Sequence, residues 1–180
     1  DFGMVTEMFG DVPKAWSAAE LLQLIQCGQA TLNEEGVQPG DRVVLLAPNS
    51  HRWVAADLAI LSTGAIVVPM YARQDGGELV EMMHDCSPKL VIVSNAVLAQ
   101  KVEEHWKDAP ILTLGALFDN KPCTDGPVSR DADSPVTIIY TSGSTGSPKG
   151  VVTTVGNTNF MLGETKQALE GLLAHSTHQE

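Results

Sequence analysis

Two kinds of hydrophobic run alternate along this chain. Behind "WSAAE", where Ser17 and Glu20 have the spacing of a capping box, Leu21, Leu22, Leu24, Ile25 and Leu32 recur at helical intervals and predict a helix from about Ser17 to Glu35. "GVQPGD" ends it at Gly36 and turns the chain through Pro39 and Gly40. The next run, "RVVLLA", is apolar without alternation, as suits a strand covered on both faces. The order then repeats. "HRWVAADLAILSTG" predicts a buried helix, "AIVVPMY" a strand, "GELVEMMHDC" a helix, "KLVIVSN" a strand, "AVLAQKVEEHWKDA" a helix and "PILTLG" a strand. Strands alternating with helices predict a three-layer α/β lobe, a mostly parallel sheet flanked by helices. No element is assigned ahead of Trp16. From Phe118 to Ser134 the periodicity vanishes, and "DNKPCTDGPVSRDADS" reads as a polar surface loop. Too little chain follows for a second core, so residues 1–180 read as a single lobe. "PVTIIY" resumes as a strand, "GVVTTV" reads as a short strand, and "NTNFMLGETKQALEGLLAH" as a closing helix.

Composition narrows the function classes. Hydrophobic residues at 43% and charged residues at 18% are globular values, which set aside disordered and fibrous classes. A net charge of −11 repels nucleic acid and anionic surfaces, so no nucleic-acid partner is expected, although a local basic site stays possible. Cys27, Cys86 and Cys123 lie far apart and form no paired motif, so neither a disulfide framework nor a zinc site is expected and no metal ligand is assigned. The expectation is a reducing, cytoplasmic setting. "DFGMVTEMFG" shows no secretory pattern, and stretches such as "AIVVPMY" are far shorter than the ~20 residues a bilayer requires.

The chemistry concentrates in "TIIYTSGSTGSPKG", residues 137–150. After Tyr140 come ten residues with three glycines, five hydroxyls, Pro148 and the lone cation of Lys149, too polar to pack a core. Glycines let backbone amides converge on one point, hydroxyls add donors, and a lysine adds a mobile positive charge, a combination that suits a polyphosphate. The mononucleotide P-loop pattern is not met. Counting from Gly143, its second glycine position holds Pro148, and Gly150 stands where a magnesium-binding Ser or Thr belongs. No dinucleotide-type glycine pattern follows an early strand either.

"YTSGSTGSPKG" resembles the phosphate-binding signature of the AMP-forming adenylating enzymes, the superfamily of acyl-CoA synthetases, luciferase and peptide-synthetase adenylation domains. "GVQPGDRVVLLAPNSHRWVAADLAILSTGAIVVPMY" and "WSAAEL" are similar to that family's N-terminal region, so the likeness runs from about Trp16 to Asn157. Within the superfamily, "NSHRWVAADLAIL" looks closest to long-chain fatty acid CoA ligases.

The resemblance implies the N-terminal subdomain of the acyl-CoA synthetase fold. In such enzymes a carboxylate attacks the α-phosphorus of ATP, pyrophosphate leaves, and the acyl-adenylate passes its acyl group to the thiol of coenzyme A. It implies that Thr141, Ser142, Gly143, Ser144, Thr145, Gly146, Lys149 and Gly150 bind ATP, with Lys149 and Thr145 in catalytic roles. Pro148 and Gly150 would shape the turn, in a loop that closes over ATP and opens to release pyrophosphate. The implied substrates are a fatty acid, ATP and coenzyme A, with Mg2+ as cofactor. One position departs: Val155 stands where related sequences often carry a histidine.

The family's adenine-binding stretch, magnesium-holding glutamate, ribose-binding aspartate and the lysine of its mobile C-terminal domain have no counterpart after Asn157. The expectation is therefore the N-terminal part of an AMP-binding domain, incomplete for a full cycle by itself. Peripheral membrane association and homo-oligomerisation stay open. The alternatives are another acid- or amino-acid-adenylating enzyme, or a non-catalytic binding module that kept the fold.

Other candidates read as structural. His175 and His178 sit three apart in the tail and lack further ligands. His51, His84 and His105 read as solvated surface residues, "KVEEHWKD" as an exposed helix face, and Trp53, Trp106 and Tyr71 as packing residues. Asp57, inside the apolar "WVAADLAIL", is a hidden catalytic carboxylate or, more simply, a group hydrogen-bonded locally or placed at the wet edge of its helix.

Overall fold

A computed structural model describes residues 3–142 and 148–176, without the side chains of Phe9, Ser142 and residues 171–176. A hairpin of β1 (Gly3–Phe9) and β2 (Val12–Ser17) precedes α1 (Ala18–Glu34). The sequence pattern missed this hairpin because its positions turned toward the lobe include Glu7, which breaks any apolar alternation; the turn pair Gly10-Asp11 was the available signal. Ser17 and Glu20 form the predicted capping box, the Ser17 hydroxyl accepting from the Glu20 amide and the Glu20 carboxylate accepting from the Ser17 amide. Gly36 takes the left-handed φ of 71° that the end of α1 requires.

The lobe then alternates β3 (Arg42–Leu46), α2 (His51–Ser62), β4 (Ile66–Met70), α3 (Gly76–Cys86), β5 (Leu90–Val93), α4 (Ala96–Glu103), β6 (Ile111–Thr113) and the one-turn α5 (Leu114–Leu117). β7 (Pro135–Ser142), β8 (Pro148–Thr154) and α6 (Val155–Ser176) follow. The sheet order is β6-β5-β3-β4-β7-β8, parallel throughout except that β8 runs antiparallel to β7.

The unbroken apolar strands cover both layers at once. Val43 and Leu45 of β3, with Leu90 and Ile92 of β5, meet Leu32 of α1, Ala59 and Ile60 of α2 and Leu117 of α5 on one face. Val44 and Leu46, with Val91 and Val93, meet Leu79, Met82 and Met83 of α3 and Val102 of α4 on the other. Because a strand's side chains alternate, each strand feeds two cores, and that is why no polar residue interrupts it.

The segment from Phe118 to Ser134 lacks regular structure, as its composition predicts, but it is strapped to the lobe. The Val128 amide donates to the Ser62 carbonyl, the Asn120 amide to Thr31 Oγ1 and Glu34, and Arg130 to the carbonyls of Leu61, Ala65 and Pro135. α6 leaves Phe160, Met161, Leu162 and Leu169 exposed.

Candidate functional site

Chain direction places the site. β3 leaves its carboxyl end toward α2 on one face, while its neighbour β4 leaves toward α3 on the other. This divergence is a topological switch point, where open parallel sheets form a crevice for ligands. A cavity of about 310 Å³ lies there, lined by Ala47 and Asn49 after β3, Met70 and Tyr71 after β4, and Ile139 and Tyr140 of β7. Tyr71 is 82% exposed beside it, which corrects the expectation that this ring packs; the chain turns away from the sheet immediately after Met70 and leaves it outside.

Ile139 and Tyr140 bring the end of β7 to this crevice. Within the β7–β8 hairpin Tyr140 faces Gly150, Thr141 faces Lys149 and Ser142 faces Pro148. Pro148 and Gly150 therefore stand in β8. Ladder pairing extends to both positions, and Gly150 answers a close approach: a β-carbon there would lie 2.8 Å from Ile138 Cγ2 and 3.3 Å from the Tyr140 ring. Thr141 and Lys149 are exposed on facing strands, and among the described residues Lys149 has no ion-pair partner. Gly143, Ser144, Thr145 and Gly146, with the side chain of Ser142, lie outside the described residues. So do His178 and the side chain of His175.

The outer half of the hairpin is held by side chains whose pairing the sequence did not reveal. Tyr140 donates its hydroxyl to Asp85 Oδ2 at 2.5 Å, and burial together with that bond raises the phenol's pKa. Beneath it, burial pushes the Cys86 thiol up to about 11. The only available signals were Tyr140's place directly before the polar stretch and Asp85's place at the end of an amphipathic helix, and neither specifies a pair.

Two further expectations change. His51 is not solvated: its ring stacks on Trp16 with centroids 3.7 Å apart, and Nδ1 lies 2.6 Å from Glu7 Oε2, because the N-terminal hairpin folds across the start of α2. Lys14 Nζ covers the far side of Trp16 at 3.8 Å. Asp57 makes no hydrogen bond among the described residues; it lines an apolar cleft of about 410 Å³ with Trp53, Leu61, Val67 and Met161, and desolvation raises its pKa from 3.8 to about 6. Among the described residues no second titratable side chain lines that cleft, so the hidden-catalyst reading gains no acid–base partner. His84 and His105 are exposed, as expected, and Trp106 is buried. Val155 opens α6, its amide donating to the Ser134 carbonyl.

Among the described residues no three His, Cys, Asp or Glu side chains gather as a metal site, so this part of the chain offers Mg2+ no ready cage. The polar, exposed Thr141–Lys149 pair at the crevice fits an anion held by donors and one cation. Among the same residues no helix is long and apolar enough to cross a membrane.

The chain is similar to several known proteins. The hybrid PKS-NRPS synthetase thnA of Trichoderma harzianum is 32% identical over 154 residues, 85% of this chain and 4% of that protein. Long-chain-fatty-acid–CoA ligase FadD15 of Mycobacterium tuberculosis is 29% identical over 159 residues, 78% of this chain and 26% of that protein. The crystal structure of the fatty acyl-adenylate ligase from L. pneumophila, in complex with acyl adenylate and pyrophosphate, superposes with a TM-score of 0.73 at 28% identity. The match covers 83% of this chain and 27% of that one. The chain thus spans a small part of each of these longer proteins. The family described as AMP-binding enzyme matches residues 5–176, and the chain belongs to that family.

Proposed function

We propose that this chain is the N-terminal part of the AMP-binding domain of an adenylate-forming ligase, which activates a carboxylic acid with ATP and hands the acyl group to the thiol of coenzyme A. The observation that carries this is the β7–β8 hairpin at the switch-point crevice, where Lys149 stands exposed across from Thr141, without an ion-pair partner among the described residues. Thr141, Ser142, Gly143, Ser144, Thr145, Gly146 and Gly150 hold the β and γ phosphates through amides and hydroxyls. Lys149 and Thr145 offset the charge that grows on the departing pyrophosphate, the point at which fixed donors lower a phosphoryl-transfer barrier most. Mg2+ bound with ATP would supply further charge neutralisation at the phosphates, beside the cation of Lys149 and the donors of Thr141.

The acid is a long-chain fatty acid on this reading, supported by the local likeness of residues 49–61 and by FadD15. A second reading, amino-acid adenylation, is favoured by the likeness to the peptide-synthetase hybrid. The deciding measurement is ATP–pyrophosphate exchange by the full-length protein carrying this chain, with fatty acids of several lengths and a panel of amino acids in parallel. Exchange with fatty acids, reduced by about 10²-fold in Lys149→Ala, is expected. Exchange with amino acids alone selects the second reading. Equal exchange by wild type and Lys149→Ala sinks the phosphate assignment, and no exchange with any acid favours a non-catalytic module.

A further inference from the structure

The outer half of the hairpin has little sheet to hold it. β7 meets β4 through a single ladder pair, Val67 with Thr137, reinforced by the Thr137 hydroxyl donating to the Val67 carbonyl at 2.9 Å. Beyond Thr137 no further ladder pair joins the two strands, and the ends of both, Met70 of β4 with Ile139 and Tyr140 of β7, line the switch-point cavity. From there to Ser142, β7 is paired only with β8, which is itself the edge of the sheet. A two-stranded ribbon without ladder bonds to the rest of the sheet is marginal alone, so side-chain contacts must fix where Thr141 and Lys149 point.

Tyr140 is placed to do so. Its hydroxyl reaches across to Asp85 Oδ2, near the end of α3, a helix whose Leu79, Met82, Met83 and Cys86 are locked into the core. Its ring lies against Gly150, where a β-carbon would come within 3.3 Å of it. One side chain thus spans both strands and ties them to a rigid helix, one residue before Thr141 and at the ladder pair next to that of Lys149.

We infer that Tyr140 is a positioning residue: its hydroxyl, bonded to Asp85, anchors the β7–β8 hairpin to α3 and so sets where Lys149 and Thr141 meet the phosphates. The inference rests on the phosphate reading of this hairpin. It sets no chemistry on Tyr140 itself, whose hydroxyl acts through the strand it holds.

The test uses the full-length protein carrying Tyr140→Phe, Asp85→Ala, Asp85→Asn or Lys149→Ala. Losing a charge-assisted hydrogen bond in a part-exposed place is expected to raise the KM for ATP about three- to tenfold in Tyr140→Phe and Asp85→Ala, with the KM for the acid unchanged. Asp85→Asn keeps an acceptor for the phenol and is expected near wild type. Combining Tyr140→Phe with Asp85→Ala should add nothing beyond either change alone, since both remove one interaction. Amide hydrogen exchange should quicken at residues 138–141 and 149–152 in Tyr140→Phe while β3 and β5 keep their protection. Unchanged KM for ATP and unchanged exchange overturn the anchor; so does a rise in the KM for the acid equal to that for ATP, which marks general loosening. Should Tyr140→Phe fail to fold, the Asp85→Ala and Asp85→Asn pair makes the same comparison. An effect of Lys149→Ala without one of Tyr140→Phe removes the anchor and leaves the phosphate reading intact. No effect of Lys149→Ala removes that reading first.

Discussion

Asp57 offers the sharpest test of the physical account. It sits on α2 facing an apolar cleft, with no hydrogen-bond partner among the described residues, and burial alone raises its pKa from 3.8 to about 6. A carboxyl whose folded pKa exceeds its unfolded value binds its proton more tightly in the native state. Stability is therefore greatest below the unfolded value near 3.8, declines as pH rises toward 6 and levels off above it. A tenfold change in proton affinity is worth about 1.36 kcal/mol, so the rise from 3.8 to about 6 sets a ceiling of about 3 kcal/mol; solvent reaching the half-buried group lowers the expected figure to about 1–2 kcal/mol. Asp57→Asn keeps shape and volume but cannot ionise. Urea unfolding at several pH values should show the variant more stable than wild type by about 1–2 kcal/mol at pH 7, the gap closing by pH 4. A variant no more stable at pH 7, or one whose advantage grows in acid, would refute desolvation as the cause.

Other outcomes follow from side chains that tie segments together. Arg130→Ala removes donors to the carbonyls of Leu61, Ala65 and Pro135 and is expected to lower stability by about 2–3 kcal/mol in denaturant unfolding. Arg130→Lys should recover only part of this, because an ammonium cannot reproduce the planar fork. His51 holds the Glu7 carboxyl below the usual 4.5, so this pair's contribution is present above pH 4.5 and is lost as pH falls through the lower folded value. Glu7→Gln should remove that acid-dependent step, read as a change in the near-ultraviolet dichroism of Trp16, which the His51 ring overlies.

The alternation of helices and apolar strands, the capping box at Ser17 and the polar stretch leading to Lys149 were all legible along the chain. Each depends on neighbours a few residues apart: periodicity, a three-residue cap spacing, and a composition that cannot pack. Even the parallel character of the sheet follows locally, since a strand apolar at every position must be covered on both faces. Only folding could decide the rest. Tyr140 and Asp85 lie 55 residues apart, Glu7 and His51 lie 44 apart, and Arg130 reaches carbonyls 65 and 69 positions away. No local pattern encodes such pairs, because their partners are chosen by which strand lies beside which. The fate of Asp57 was hidden for the same reason: its position in an apolar helix was visible, but the water it loses depends on a cleft that β4, β7 and α6 close around it.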